Sequence, residues 1–249
     1  MIRSFARRAR QRLGRRPTPA PKAAADPEPK PQTKARPKIE WTYDKDRGSF
    51  EGREAILREL IAVFPPGRLM DLACGNGMYS IAAHDMGWEV TAVDARTVRM
   101  PMTPGITWVE QDVRETDLTG YDVILLMGLL YHLELDDQLD LLRRCSGSVT
   151  ILDTHHSTAP THVEEGYAGH TFTELPPDHP TSQADAPRAA WGNQTSFWAT
   201  QPDLVRMLYD CGFGTVLALV PPTLPNRTFY LCLPRRTTGG AVDSTTSEP

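Results

Sequence analysis

The sequence predicts an α/β fold, doubly wound around a mostly parallel sheet, and three observations carry that expectation. Short apolar runs of strand character alternate with helical periodicity up to about residue 156, the pattern of parallel strands covered on both faces. Two glycines, Gly75 and Gly77, crowd the end of the first run, Gly67 to Ala73. The second run, Trp88 to Asp94, closes on a carboxylate.

Taken in order, the chain opens on a basic segment. Residues 1–40 hold 12 of the 27 Lys+Arg and 3 of the 31 Asp+Glu, a charge of +9, and the remaining 15 basic and 28 acidic residues leave −13. An acidic body argues against a broad nucleic-acid surface on the folded part. Met1 to Arg16 places Ile2, Phe5, Ala9 and Leu13 on one side of a possible short helix, with seven arginines elsewhere. That pattern suits peripheral contact with an anionic membrane or RNA; it also has the Arg-rich, acid-poor character of an organelle transit peptide, or is a solvated tail. Seven prolines in residues 17–39 predict a disordered linker. No run is apolar and long enough for a transmembrane segment.

Order is expected to begin at Trp41, followed by a helix from about Glu51 to Phe64 with Ile56, Leu57, Leu60, Ile61 and Phe64 at helical spacing. Pro65-Pro66 stops it. A helix from Met78 to Met86 follows the glycines. Further strands are expected at Ile106 to Glu110, Tyr121 to Gly128 and Val149 to Asp153. Residues 155–200, rich in Pro, Thr, His and aromatics, read as a long irregular connection. It leaves the carboxyl edge of the sheet and is expected to serve as a substrate lid. Thr200-Gln201-Pro202-Asp203 has the cap, early proline and early acid of a helix start, and Gly212 ends that helix. Thr215 to Val220 and Thr228 to Leu233 form the last two strands, and residues 235–249 a loose tail. Cys74, Cys145, Cys211 and Cys232 show no paired or metal-ligand spacing, which predicts reduced thiols in a cytoplasmic protein and no metal site.

Strand, glycine turn, helix, strand and carboxylate together form a unit that binds an adenosine-containing cofactor. A dinucleotide fingerprint is incomplete, because Ser80 stands at its third glycine position, and no phosphate-cradling P-loop is present. The segment Asp71-Leu72-Ala73-Cys74-Gly75-Asn76-Gly77 instead resembles motif I of the class I S-adenosylmethionine-dependent methyltransferases, with Ala73 in place of the first glycine. The resemblance runs in order through most of residues 41–234. It implies a seven-stranded sheet with an antiparallel last strand, and S-adenosylmethionine as cofactor. It also implies a cofactor site at Asp71, Ala73, Gly75, Gly77, Asp94 for the ribose, Asp112 and Val113 beside the adenine, and Met127 and Gly128 at the fourth strand.

The resemblance implies methyl transfer, and the expected acceptor is a small molecule methylated at oxygen. Gly128-Leu129-Leu130-Tyr131-His132 carries neither the Pro-Pro-Tyr of amino-methylating members nor a Pro-Cys nucleophile. It is similar to a subset containing tRNA wobble-uridine carboxymethyltransferases and small-molecule enzymes. A tRNA-modifying enzyme with residues 1–40 as a basic arm, or a non-catalytic cofactor-binding protein tethered to a membrane, are the alternatives. His132, His155 and His156 follow strand ends that open toward the crevice and are candidate bases. Tyr131, Trp191, Asn193, Ser196 and Trp198 are candidate substrate contacts.

Overall fold

Leucine, valine and isoleucine runs bounded by glycine and proline become the strands of one sheet. The computed structural model describes residues 47–174, 189–222, 224 and 227–236. In chain order the elements are α1 (Arg47–Ile61), β1 (Arg68–Leu72), α2 (Met78–Asp85), β2 (Glu89–Asp94), β3 (Thr107–Glu110), β4 (Val123–Met127), α3 (Leu135–Cys145) and β5 (Val149–Thr154). There follow β6 (His162–Glu164), β7 (Tyr167–Thr173), β8 (Thr195–Ala199), α4 (Gln201–Asp210), β9 (Phe213–Leu219) and β10 (Thr228–Pro234). The chain divides after Arg36, and all described residues belong to the second unit, Pro37–Pro249. The expected tail 1–40, the start at Trp41 and residues 237–249 lie outside the described residues.

The main sheet has the order β3-β2-β1-β4-β5-β10-β9. Strands β1 to β5 pair in parallel, and β10 runs antiparallel to both β5 and β9. Successive residues of a strand point to opposite faces, so each strand feeds two cores. On one face Leu69, Ala92, Leu125, Ile151 and Phe229 pack under Leu57 and Ile61 of α1 and Ile81 of α2. On the other, Met70, Val93, Leu126, Leu152 and Tyr230 meet Leu139 and Leu142 of α3 and Leu204 and Leu208 of α4. The expected helices on both faces are present.

Two departures have local causes. The general alternation of strands and helices is incomplete: residues 95–106 hold a single helical turn, Thr97–Arg99, and residues 111–122 hold no helix. Pro101, Pro104 and Gly105 break the first and the turn formers Asp117 to Gly120 the second. The stretch 155–200, read as irregular, instead contains a three-stranded antiparallel sheet, β6-β7-β8. Glu165 and Gly166, both at positive φ (47° and 85°), make the tight turn between β6 and β7 that such hairpins favour. The second sheet is joined to the first at Phe197, whose N–H donates to the Leu133 carbonyl (3.0 Å) while the buried Gln138 amide donates to the carbonyls of both.

Helix α4 starts as expected: Thr200 Oγ1 accepts from the Asp203 N–H and Pro202 occupies the first turn. The four cysteines are buried and free. Among the described residues no helix is long and apolar enough to cross a membrane.

Leu125 is wholly buried at the centre of β4, whereas Leu217 on edge strand β9 is 51% exposed. Leu125→Ala should lower unfolding free energy by about 2–5 kcal/mol, and Leu217→Ala by less than about 0.5 kcal/mol, in urea titrations monitored by circular dichroism.

Candidate functional site

Strand order reverses between β1 and β4, so the loops leaving their carboxyl ends diverge and open a crevice. The loop after β1 is anchored by the Cys74 N–H to the Val93 carbonyl (2.9 Å) and turns back with the Gly77 N–H on the Cys74 carbonyl (2.8 Å). Gly75 and Gly77 hold φ of 54° and 68°, and a Cβ on either would lie 2.7 Å from the Arg99 guanidinium or 2.3 Å from the Trp108 ring. Gly77 therefore needs glycine, whereas at Gly75 positive φ favours it and the neighbour is the movable tip of Arg99. Ala73 also adopts a positive φ, 56°, which costs a residue with a Cβ about 1–2 kcal/mol. The alanine at the motif's first glycine position thus adopts a conformation that favours glycine.

Asp71 is buried, and one of its oxygens accepts from Ser80 Oγ at 2.6 Å while Oδ1 has no hydrogen-bond partner. Burial raises its pKa from 3.8 to about 7, opposed by the Ser80 hydrogen bond. It braces the turn from beneath and is absent from the cavity walls. Asp94, at the end of β2, accepts from the Gly75 N–H (2.9 Å) through Oδ2 and from the Arg96 N–H (2.8 Å) through Oδ1. Each oxygen keeps a further lone pair.

Asp94 lines a cavity of about 130 Å³ together with Val113, Asp112, Leu129, Arg96 and Trp191. Asp112 is turned toward Arg114, which donates to it from Nε (3.0 Å) and Nη2 (2.6 Å). Partial burial would raise its pKa, but these bonds hold its carboxyl below the usual range. Trp191 closes this cavity: Arg96 stacks on its ring at 5.2 Å and Arg114 donates to its carbonyl at 2.9 Å. Arg96 also donates to the carbonyls of Ala189 and Ala190. Trp191 was expected to contact the acceptor; the structure puts it over the Asp94 cavity.

A second cavity, about 350 Å³, lies alongside and shares Ala73, Arg99, Gly128 and His132 with the first. Its wall includes Gly75, Met127, Tyr131, His155 and Trp198. His155 and Trp198 stack with parallel rings 5.4 Å apart, and Tyr131 meets both edge-on. Behind them the Asp153 carboxylate, fully buried, is gripped by Arg53 through Nε (2.5 Å) and Nη2 (2.8 Å) and by Arg227 through Nη1 (3.2 Å). Burial alone would lower the Arg53 pKa, yet Asp153 more than offsets this and keeps the guanidinium charged. Gly128, at φ 83°, leaves room for Arg53, whose Nη2 would lie 2.8 Å from a Cβ there.

His132 forms part of both cavity walls, with Nδ1 3.0 and 3.1 Å from the two oxygens of Glu174. Burial would raise the Glu174 pKa, but His132 and the Ala190 N–H hold it below the usual range. An ionised carboxylate can only accept, so Nδ1 carries a proton; in a neutral imidazole Nε2 is then the acceptor.

Three expected contacts fall elsewhere. His156 lines neither cavity: its Nε2 meets the Tyr230 hydroxyl at 3.0 Å, and burial lowers its pKa to about 4. Asn193 is a brace, its amide donating to the carbonyls of His132 (2.9 Å) and Thr195 (2.6 Å). Ser196 is buried in β8 beside a separate hollow lined by Glu134 and Thr171. All three are held within the fold and line neither of the two joined cavities. Conversely, Arg53, Arg227, Asp153 and Glu174 were not among the expected contacts. Arg53 had a signal, since it continues the buried stripe of Leu57 and Ile61. Among the described residues no group of His, Cys, Asp and Glu could hold a metal ion.

No family model matches the chain. A curated relative, "Putative methyltransferase YqeM" of Bacillus subtilis (strain 168), is 29% identical over 102 residues, which is 38% of this chain and 35% of that protein. The N-terminal domain of EvdMO1, solved with SAH bound, is similar with a TM-score of 0.57 and 21% identity over 72% of this chain and 79% of that one. A Burkholderia thailandensis 1,6-didemethyltoxoflavin-N1-methyltransferase, solved with 1,6-didemethyltoxoflavin and S-adenosylhomocysteine, gives a TM-score of 0.52 and 17% identity over 76% and 78%. The protein has the class I methyltransferase fold.

Between about pH 4 and pH 7 folded Asp71 keeps a proton that the unfolded chain has lost, so its contribution to stability falls as pH rises and levels off above about 7. Asp71→Asn should therefore gain melting temperature over the natural protein as pH goes from about 5 to about 8. Scanning fluorimetry across that range checks this, and parallel profiles would contradict it.

Proposed function

We propose that this protein is an S-adenosylmethionine-dependent methyltransferase acting on a small-molecule acceptor, with oxygen as the receiving atom. One observation carries the reading: a carboxylate at the end of β2, tied to the N–H of Gly75, beside two joined cavities at the strand-order reversal. The residues present fit such a cofactor. Asp94 can accept from two ribose hydroxyls, Val113 and Leu129 offer apolar surface for a base, and Gly75 and Gly128, both at positive φ, present backbone without a side chain.

The cofactor, when bound, supplies an electrophilic methyl group on a sulfonium. The chain contributes orientation, exclusion of water and proton removal. Trp191, with Arg96 and Arg114 on it, covers the Asp94 cavity. Tyr131, His155 and Trp198 present aromatic surface to an acceptor. His132, held by Glu174 through Nδ1, offers Nε2 of its neutral form as the base for an acceptor hydroxyl. The same Glu174 accepts from Ala190, so covering the cavity and aligning the base are linked. Support from the solved relatives is that both named above were crystallised with S-adenosylhomocysteine, and one with its small-molecule acceptor. Met1 to Arg16, outside the described residues, is proposed as a peripheral contact for anionic membrane or RNA. The proposed compartment is the cytoplasm.

Asp94→Ala should weaken S-adenosylhomocysteine binding by about 1–3 kcal/mol in calorimetry, and unchanged affinity would refute the ribose role. Incubation of cell extract with the protein and methyl-labelled cofactor should yield a labelled small molecule. With that acceptor in hand, Glu174→Gln should lower kcat by about 10–100-fold and leave KM nearly unchanged. A change confined to KM would remove His132 from the base role.

A further inference from the structure

The larger cavity has an imbalance that the donor alone does not remove. Three guanidiniums, those of Arg53, Arg99 and Arg227, line it, and among the described residues no carboxylate does. The nearby acid, Asp153, already bridges Arg53 and Arg227 from behind, one negative charge between two positive ones. Arg99 has no ion-pair partner among the described residues. Two further donors on the same wall are unused. The Tyr79 hydroxyl and the Trp198 indole N–H are buried and lack a hydrogen-bond partner, and Tyr79 is 6% exposed. Burial also pushes the Tyr79 phenol up, so it remains a donor at neutral pH. Arg227 Nη2 additionally donates to the Tyr131 hydroxyl at 3.2 Å, leaving the Tyr131 proton itself available.

A wall of cations and orphaned donors calls for a ligand rich in acceptors and negative charge. S-adenosylmethionine brings one carboxylate but also a sulfonium and an ammonium, so its net charge is positive and it deepens the imbalance. We propose that the acceptor is itself an anion, a small molecule bearing a carboxylate or phosphate, received by Arg227, Tyr131 and Tyr79 with its body against the Trp198 and His155 rings. This rests on the reading of the protein as a methyltransferase and specifies its substrate class. The anion would neutralise the wall while the Asp153 bridge keeps both arginines in place, and an uncharged analogue would leave those donors desolvated without partners.

The test uses the full chain saturated with S-adenosylhomocysteine. Calorimetry compares three pairs of probes: 4-hydroxybenzoate with 4-hydroxybenzamide, succinate with succinamide, and phenyl phosphate with phenol. At least one acid should bind about tenfold or more tighter than its neutral partner. Arg227→Ala should erase that ratio, and Arg227→Lys should restore part of it. Should Arg227→Ala fail to fold, added salt must weaken the acid and not its neutral partner in the natural protein. No preference for any acid overturns the proposal, as does a ratio unchanged in folded Arg227→Ala. If that variant instead loses S-adenosylhomocysteine affinity with the acid ratio intact, Arg227 serves the donor's carboxylate and the proposal fails. Absence of S-adenosylhomocysteine binding in the first step overturns the methyltransferase reading itself, a result distinct from binding without acid preference.

Discussion

Loops that leave neighbouring parallel strands in opposite directions cannot fill the gap between them, and that gap at the ends of β1 and β4 organises this protein. Everything placed there obeys the restriction that backbone must come close without side chains in the way. Gly75, Gly77 and Gly128 accept left-handed conformations, and each has an arginine or tryptophan where a Cβ would be. Ala73 takes the same kind of conformation at a cost, which the buried elements on either side of the loop can sustain.

Charge is arranged around the gap with a division of labour. On the β2 side a carboxylate, Asp94, engages backbone N–H groups and keeps capacity for hydroxyl donors. On the β5 side the acid is hidden and the arginines come forward, because Asp153 is wholly buried and Arg53 and Arg227 reach it from α1 and from the residue before β10. Breaking such a buried pair by removing one partner strands a charge in low dielectric, so the three residues act as a unit. Between the two sides stands His132, whose partner Glu174 comes from the end of β7 and also binds the chain at Ala190. The second sheet is thus tied to the site through side chains and not merely laid over it.

Much of this was legible in the chain. Gly75, Gly77 and Asp94 stand at the ends of strands whose apolar runs survive in the folded sheet, where successive residues feed alternate cores, whereas Val113 and Met127 came from the family resemblance. The second sheet was not, because β6 is three residues long and exposed throughout and the Glu165-Gly166 turn is a weak signal amid prolines and threonines. Glu174 could not be assigned to His132 across 42 residues by any local rule. Asn193 and Ser196 were misplaced for a different reason: a polar residue flanked by aromatics is equally suited to bracing a loop and to facing a ligand, and only the course of the backbone decides. Arg53 was available as an anomaly, a charge on the buried stripe of an amphipathic helix, which in a folded protein demands a buried partner.

The proposed function requires a nucleoside seated against β2 with its ribose on Asp94. A crystal structure grown with S-adenosylhomocysteine tests this most directly. The account predicts adenine against Val113 and Leu129, both ribose hydroxyls on the Asp94 carboxylate and the sulfur near Gly128 and His132. Ligand bound elsewhere, or a gap closed by side chains with Asp94 untouched, would contradict it.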